Sequence, residues 1–359
     1  MQNFNTNRLD YFDNIKWILA IIVINFHSFV HFQEVYPKYS NAFNYVIEFN
    51  SSYFMELFFF VSAFFVIPSF LKKGKKEFNK DKIVRLGSGI LLVIFAVNQI
   101  PDIINNWGQK SIFQLYINEI THGLKPLFDL QWGQFLNVAW FCWVLLVMTL
   151  IWSYFTNKEA IQNKPNKPLP SFVTIILFCI FMIPFNCLAM GLMSVLGDDF
   201  LGIHLMYYLP TYIAAFIIGI QCYKNQWVYK IDKTYGFFGL VLFLICISFS
   251  WSLFPGMTVG SFYYIPLHTG CAIGMCLFII YVFKTYFNRS NTFTQILARA
   301  SFPAYLVQSI FLNILFKYAE SAVSWNPWAV TLFIGAMATI CSFILGIVLN
   351  RLPYTRSVF

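Results

Sequence analysis

Charged residues are scarce in this sequence. Only 11% of its 359 residues are charged, against about a quarter in an ordinary soluble domain, and 58% are hydrophobic. The shortage excludes a soluble globular domain, which needs a solvated surface. The eight cysteines lack the spacing of a metal site or of a secreted disulfide framework. Because all of them fall in apolar stretches, we interpret them as small core residues.

Apolar stretches of about 18 to 25 residues recur along the whole chain, and each can cross a hydrocarbon core of about 30 Å. Their continuity excludes the alternating pattern of a membrane β-barrel. We therefore predict one all-α domain over residues 1–359, a polytopic integral membrane bundle of about ten transmembrane helices. The predicted spans are residues 15–33, 51–71, 83–100, 134–155, 171–195, 204–222, 235–254, 259–286, 300–318 and 327–350, and residues 101–133 are expected to form one long external connection.

Basic residues are distributed unevenly between the two sides of the predicted bundle. With a cytoplasmic N-terminus, most of the 24 Lys and Arg residues face the cytoplasm, and the opposite side keeps Lys38, Lys110, Lys125 and Lys317. Cytoplasmic loops of membrane proteins are enriched in Lys and Arg, so we predict that both termini are cytoplasmic and that the protein lies in the cell membrane. The net charge of +9 then reflects orientation in the lipid bilayer, not nucleic-acid binding.

The first predicted helix carries several ionisable residues, and each one costs roughly 2.5–3.5 kcal/mol near the membrane centre unless it has a partner, a wet cavity or a role. Lys16 and His27 are eleven positions apart, so helical geometry places them on one face, about 16 Å apart. Asp13 lies one turn before Lys16. A lone histidine on an apolar helix is more often a satisfied core residue, but this polar stripe favours a cavity beside His27.

Two further features in the next predicted helices are open to more than one interpretation. The basic pair Lys82 and Arg85, at the level of Lys16, could hold phosphates or could reach toward lipid headgroups. Glu56 interrupts the second predicted helix. Its carboxylate could orient His27, pair with a basic residue or lie at the outer membrane interface.

Several short motifs follow one another in an order that resembles a known family, the integral-membrane acyltransferases of family 3, which include O-antigen and exopolysaccharide O-acetylases and glucan succinyltransferases. The motifs are Lys16 with ten residues before His27, FFFVSA at 58–63, KIVRL at 82–86, Trp140-Phe141, FIIG at 216–219 leading to Trp227, and SFPAYL at 301–306. The departures are Lys16 and Lys82 where arginine is common, Ala63 for glycine, and Gln308 where histidine is common. Lysine keeps the charge but lacks the bidentate fork of arginine.

The resemblance implies a membrane O-acyltransferase that moves a short acyl group, expected to be acetyl, from cytoplasmic acyl-CoA to a hydroxyl of a cell-envelope carbohydrate or glycolipid. Acyl-CoA would be a co-substrate, with no bound cofactor and no metal. His27 is the expected catalytic base and Glu56 a second catalytic candidate. The expected donor-binding residues are Asp13, Lys16, Lys82, Arg85 and Trp140.

Two other functions fit the same features. A carbohydrate exporter or flippase of the same fold would use aromatic walls and a wet polar path without acyl chemistry. A structural membrane subunit or sensor would use the buried charges only to specify helix packing. Within the acyltransferase hypothesis, direct transfer and an acylated His27 intermediate are both open, because imidazole is also a competent acyl carrier.

Overall fold

In the residues that it describes, the computed structural model of the protein is all-α apart from an isolated bridge between Gln131 and Phe200. It describes residues 9–106, 108, 111–128, 130–162, 166–253, 265–319 and 325–352. Within these ranges the α-helices are α1 (Asp10–Val35), α2 (Ser40–Ser51), α3 (Phe54–Phe64), α4 (Val66–Lys73), α5 (Lys75–Leu92), α6 (Ile100–Asn105), α7 (Ile112–Phe128), α8 (Gly133–Leu136), α9 (Trp140–Phe155), α10 (Lys158–Gln162), α11 (Phe172–Leu196), α12 (Leu209–Lys224), α13 (Trp227–Lys230), α14 (Lys233–Leu253), α15 (His268–Tyr286), α16 (Thr292–Ala319) and α17 (Pro327–Arg351).

Short irregular turns extend several of these helices. Single 3₁₀ turns precede α2, α9, α12 and α15, and a π-helical segment continues α5 through Val93–Val97. The described part of every predicted span is mainly helical, which confirms the polytopic helical bundle. Residues 254 and 259–264, which belong to two of the predicted spans, lie outside the described residues. By length and hydropathy, the candidate membrane spans are α1, Pro37–Lys73, Asn137–Phe155, α11, α14, α15 and α17, seven in the described residues.

The remaining predicted spans coincide with α5, α12 and α16, which are shorter or less apolar than these seven. α12 has 16 residues, and α5 begins with a strongly charged segment. The structure also corrects two sequence boundaries. The second predicted span is divided into α3 and α4, and the long connection expected at residues 101–133 contains the 17-residue helix α7.

α1 lies at the centre of the bundle and joins two hydrophobic cores. One side packs with α2, α16 and α17, and the other faces the larger core formed mainly by α3, α5, α9, α12 and α15. The Asn14 side-chain amide fixes the start of α1 by donating to the carbonyl oxygens of Phe287 and Arg289, at 2.7 and 2.9 Å. The beginnings of α1 and α16 therefore lie at the same end of the bundle.

Glycine allows the closest helix pairs in this lipid-facing fold, where packing rather than water drives helix association. At Gly219 on α12, an added Cβ would lie 2.4 Å from the backbone oxygen of Phe60 on α3. At Gly239 on α14, an added Cβ would lie 2.5 Å from the backbone oxygen of Gly274 on α15. A larger residue at either position would force the two helices apart.

Large apolar side chains cover much of the outside of the bundle. On α11, only 22% of the most apolar stretch is buried, and the exposed side chains include Val173, Leu177, Phe181, Leu188 and Val195. An exposed apolar surface of this extent is unfavourable in water and favourable against lipid. The protein is therefore a multi-pass membrane protein.

Candidate active site

A basic cavity of about 400 Å³ lies between α1, α3, α5, α9 and α16. It is reached by four cationic side chains, those of Lys16, Lys82, Arg85 and Arg299, and by the carboxylate of Asp13. The remaining lining residues are Phe58, Val61, Ser62, Phe65, Leu86, Phe141, Leu145, Ala298, Ser301, Phe302 and Tyr305. The structure thus brings together four of the predicted donor-binding residues, which are far apart in the sequence.

The cations on α1 and α5 that line the cavity also make contacts with neighbouring side chains. The Lys16 ammonium lies 3.2 Å from Asp13 Oδ1 and 4.5 Å from the centre of the Phe65 ring. The Arg85 guanidinium lies 5.7 Å from the centre of the Phe302 ring. Aromatic faces attract cations and limit their motion. These contacts aim the positive charges at a common space.

Arg299 is a cavity residue that the sequence reasoning missed. It was assigned to a connection because the ninth span was predicted to begin at residue 300, whereas α16 begins at Thr292. The sequence does contain a signal: Arg299, Phe302 and Tyr305 are three positions apart, and residues at this spacing share one face of a helix. All three line the cavity.

Aromatic side chains surround the end of the cavity that lies near the start of α9 and farther along α16. The rings of Phe58, Phe141 and Tyr305 lie 5.7 to 6.1 Å from one another, and the Tyr305 hydroxyl donates to the Val138 carbonyl oxygen. Trp140, predicted to bind the donor, is placed behind this group, with its ring centre 6.5 Å from that of Phe141. Its neighbours there also include Tyr212, at 5.6 Å.

His27 lies on α1 about 16 Å beyond Lys16, as helical geometry requires. Its ring makes an edge contact with Phe26, with centres 5.4 Å apart, and Phe26 in turn packs on Phe54 of α3. His27 also lies close enough to His204 for the charges of the two imidazoles to interact. It is therefore located deeper in the bundle than the basic cavity, near the loop that carries His204.

Glu56, the other predicted catalytic residue, is buried in a hydrogen-bonded pair with His268. Glu56 Oε1 and His268 Nε2 are 2.6 Å apart, and the two side chains are 1% and 0% exposed. The His268 ring stacks on Tyr208, with centres 3.7 Å apart. Of the three arrangements expected for Glu56, the structure shows pairing with a basic residue, His268 on α15. The sequence reasoning overlooked His268, although an ionisable residue inside an apolar span is itself the signal for such a partner.

Fold and site together define a class of protein, a polytopic helical membrane protein with an internal basic cavity. One helix, α1, supplies both a cation of that cavity, Lys16, and the histidine farther along the helix, His27. A protein-family model described as an acyltransferase domain matches residues 9–347. The chain therefore belongs to the acyltransferase 3 family and is a membrane acyltransferase. Searches of curated proteins and of solved structures gave no significant match.

Proposed function

We propose that the protein transfers an acetyl group from acetyl-CoA to a hydroxyl of a cell-envelope carbohydrate or glycolipid at the cell membrane. One observation supports the donor assignment most directly: four cations from α1, α5 and α16 converge on one cavity. The nucleotide end of coenzyme A carries phosphates, and Arg and Lys are the residues that bind phosphate best. We further propose that the end of the bundle where α1 and α16 begin faces the cytoplasm, with both termini on that side.

The arrangement of the site suits a donor that enters with its thioester end first and leaves its nucleotide among the cations. In the proposed complex, Lys16, Lys82, Arg85 and Arg299 hold the phosphates, and Asp13 keeps the Lys16 ammonium in place. The thin pantetheine arm passes the aromatic group formed by Phe58, Phe141 and Tyr305. The thioester then reaches His27, which is about 16 Å along α1 from Lys16.

His27 supplies the proton transfers in the proposed reaction. Neutral imidazole removes the proton from the acceptor hydroxyl while the hydroxyl oxygen attacks the thioester carbonyl carbon. The carbon–sulfur bond breaks, and the imidazolium returns the proton to the departing thiolate. The products are the acyl ester and free coenzyme A, and no other reactant is needed. In this proposal Glu56, the second catalytic candidate, supports the site indirectly through its hydrogen-bonded partner His268.

Release of free thiol from acetyl-CoA tests this proposal. We expect the purified protein in lipid nanodiscs to release thiol from acetyl-CoA by slow hydrolysis, with water in place of the acceptor hydroxyl and acetate as the second product. A folded His27→Ala variant should lose at least about 100-fold in kcat, the usual contribution of acid–base catalysis. His31→Gln is the matched control, because His31 lies one turn farther along α1 and stacks on Phe316. A wild-type protein that binds coenzyme A without releasing thiol would instead indicate an exporter.

A further inference from the structure

The loop between α11 and α12 is built around contacts with the segment that precedes α9. The Gln131 side-chain amide donates to the Leu196 carbonyl oxygen at 2.6 Å, and the Leu201 amide donates to the Leu130 carbonyl oxygen at 2.7 Å. The Trp143 indole donates to the Leu201 carbonyl oxygen at 2.9 Å. These bonds hold the loop, residues 197–208, against the start of α9.

The loop carries a histidine and an aspartate that form a close pair. His204 Nδ1 lies 2.7 Å from Asp199 Oδ1. The approach of Asp199 depends on Gly133, where an added Cβ would lie 2.0 Å from the Asp199 carboxyl carbon. The loop has the backbone freedom this arrangement needs, with φ of +94° at Gly197 and +76° at Gly202. Asp199 and His204 are five positions apart in an irregular segment, so neither helix nor strand periodicity predicts that their side chains meet.

The pair remains accessible although its neighbours are buried. The side chains of His204 and Asp199 are 43% and 25% exposed, whereas Trp140 beneath them is 7% exposed. The His204 ring centre lies 5.6 Å from that of Trp140. Through Trp140 and Phe141 the pair is connected to the aromatic end of the donor cavity, and His204 is close enough to His27 for their charges to interact.

We propose that His204, oriented by Asp199, binds the acceptor and holds its hydroxyl group beside His27. This inference rests on the proposed acyl transfer and adds the acceptor side of the same site. A carboxylate that accepts the Nδ1–H fixes the tautomer of the imidazole and leaves Nε2 as a hydrogen-bond acceptor. Nε2 then receives a hydrogen bond from a neutral O–H group. His204 is thus an acceptor-binding residue, and Asp199 is a positioning residue.

The chemistry of the pair selects a neutral polyhydroxyl compound. An anionic acceptor would be repelled by the Asp199 carboxylate, and an apolar one would leave the histidine nitrogen unpaired in the complex. The four cations that suit the phosphates of the donor line the basic cavity, on α1, α5 and α16, and neither Asp199 nor His204 lines that cavity. Donor and acceptor therefore meet near His27 from opposite ends.

Kinetics with acetyl-CoA and n-octyl β-D-glucoside, a neutral glycoside with several hydroxyls, test this assignment. His204→Phe keeps the ring volume beside Trp140 and removes both nitrogens. Asp199→Asn keeps the shape but lets the amide donate to Nδ1, which leaves Nε2 protonated and unable to accept. We expect both variants to raise KM for the glucoside by about tenfold or more, while KM for acetyl-CoA stays within about twofold. Asp198→Asn, at the neighbouring loop position, is the matched control and should leave both constants unchanged.

The possible results separate this inference from the proposed function. An unchanged glucoside KM in both variants, with His27-dependent acylation of the glucoside, overturns the acceptor role of the pair and leaves acyl transfer standing. A wild-type protein that releases thiol from acetyl-CoA but forms no acyl glucoside overturns the choice of a neutral glycoside. Absence of His27-dependent thiol release overturns acyl transfer and this inference together. Asp199→Asn decides the question if His204→Phe does not fold.

Discussion

Replacement of Arg299 by glutamine tests whether the basic cavity binds the donor phosphates. Two unit charges 4 Å apart interact by about 4 kcal/mol at an effective dielectric constant of about 20. The Arg299 side chain is exposed at the cavity. A hydrogen bond to a charged group contributes about 1.5–3 kcal/mol, and solvent screening of an exposed charge reduces this to about 1–2 kcal/mol. Three other cations, Lys16, Lys82 and Arg85, stay in place. We therefore expect Kd for coenzyme A to rise about five- to thirtyfold.

Isothermal titration of the protein in nanodiscs with coenzyme A measures this change. Arg289→Gln provides a matched control, because Arg289 is also near the start of α16 and exposed but does not line the cavity. The control should leave Kd within about twofold, the size expected of a surface charge. A rise in salt from 50 to 500 mM should weaken coenzyme A binding in the wild type more than in Arg299→Gln, because salt screens exposed charges.

Equal affinity of wild type and Arg299→Gln would refute the donor-binding reasoning. The same conclusion would follow if Arg289→Gln weakened binding as much as Arg299→Gln, since affinity would then depend on the charge of the whole surface. If affinity fell without a change in salt dependence, the loss would come from the packing of the arginine stem and not from its charge. The two measurements together separate a phosphate site from a generally basic surface.

Two stability predictions follow from the buried contacts. Glu56→Ala should lower the free energy of unfolding by about 3–5 kcal/mol and lower Tm in detergent, because it leaves His268 without its carboxylate partner. The double change Glu56→Leu with His268→Leu should recover much of that loss. Equal stability of Glu56→Ala and wild type would contradict a stabilising pair. Gly239→Val should lower Tm because its side chain would collide with the Gly274 backbone. Gly191→Val is the control and should lower Tm much less, because nothing lies within 4 Å of the added Cβ. Equal losses in Tm would contradict the close contact of α14 and α15.

Hydropathy and charge patterns predict much of this fold because the lipid environment leaves few alternatives. A long apolar segment in a bilayer must be helical to satisfy the hydrogen bonds of its own backbone, so the described part of each predicted span is mainly helical. The convergence of Lys16, Lys82 and Arg85 was also predictable, since each was placed at the same level near the start of a span. Helix periodicity gave the separation of Lys16 and His27 along α1 directly.

The missed residues have physical reasons. A hydropathy window ends a span at its first charged residue, so it excluded Arg299, although α16 extends beyond it from Thr292. His204 and Asp199 approach each other in a loop, where neither a period of 3.6 nor one of 2 applies. His268 was overlooked because partners in a buried pair come from distant helices, here α3 and α15, and helix order along the chain does not give helix order in space.

The placement of the two polar groups bears on how the proposed reaction works across a membrane. Lys16 and His27 are separated by about 16 Å along α1, roughly half of a hydrocarbon core of about 30 Å. A donor bound at the basic end would therefore bring its thioester only halfway through the bundle. The loop carrying Asp199 and His204 begins after α11 and reaches toward His27 from the other end. In the proposed mechanism the acceptor thus enters from the opposite end and reaches His27 through the other half of the bundle. Neither substrate has to cross the membrane.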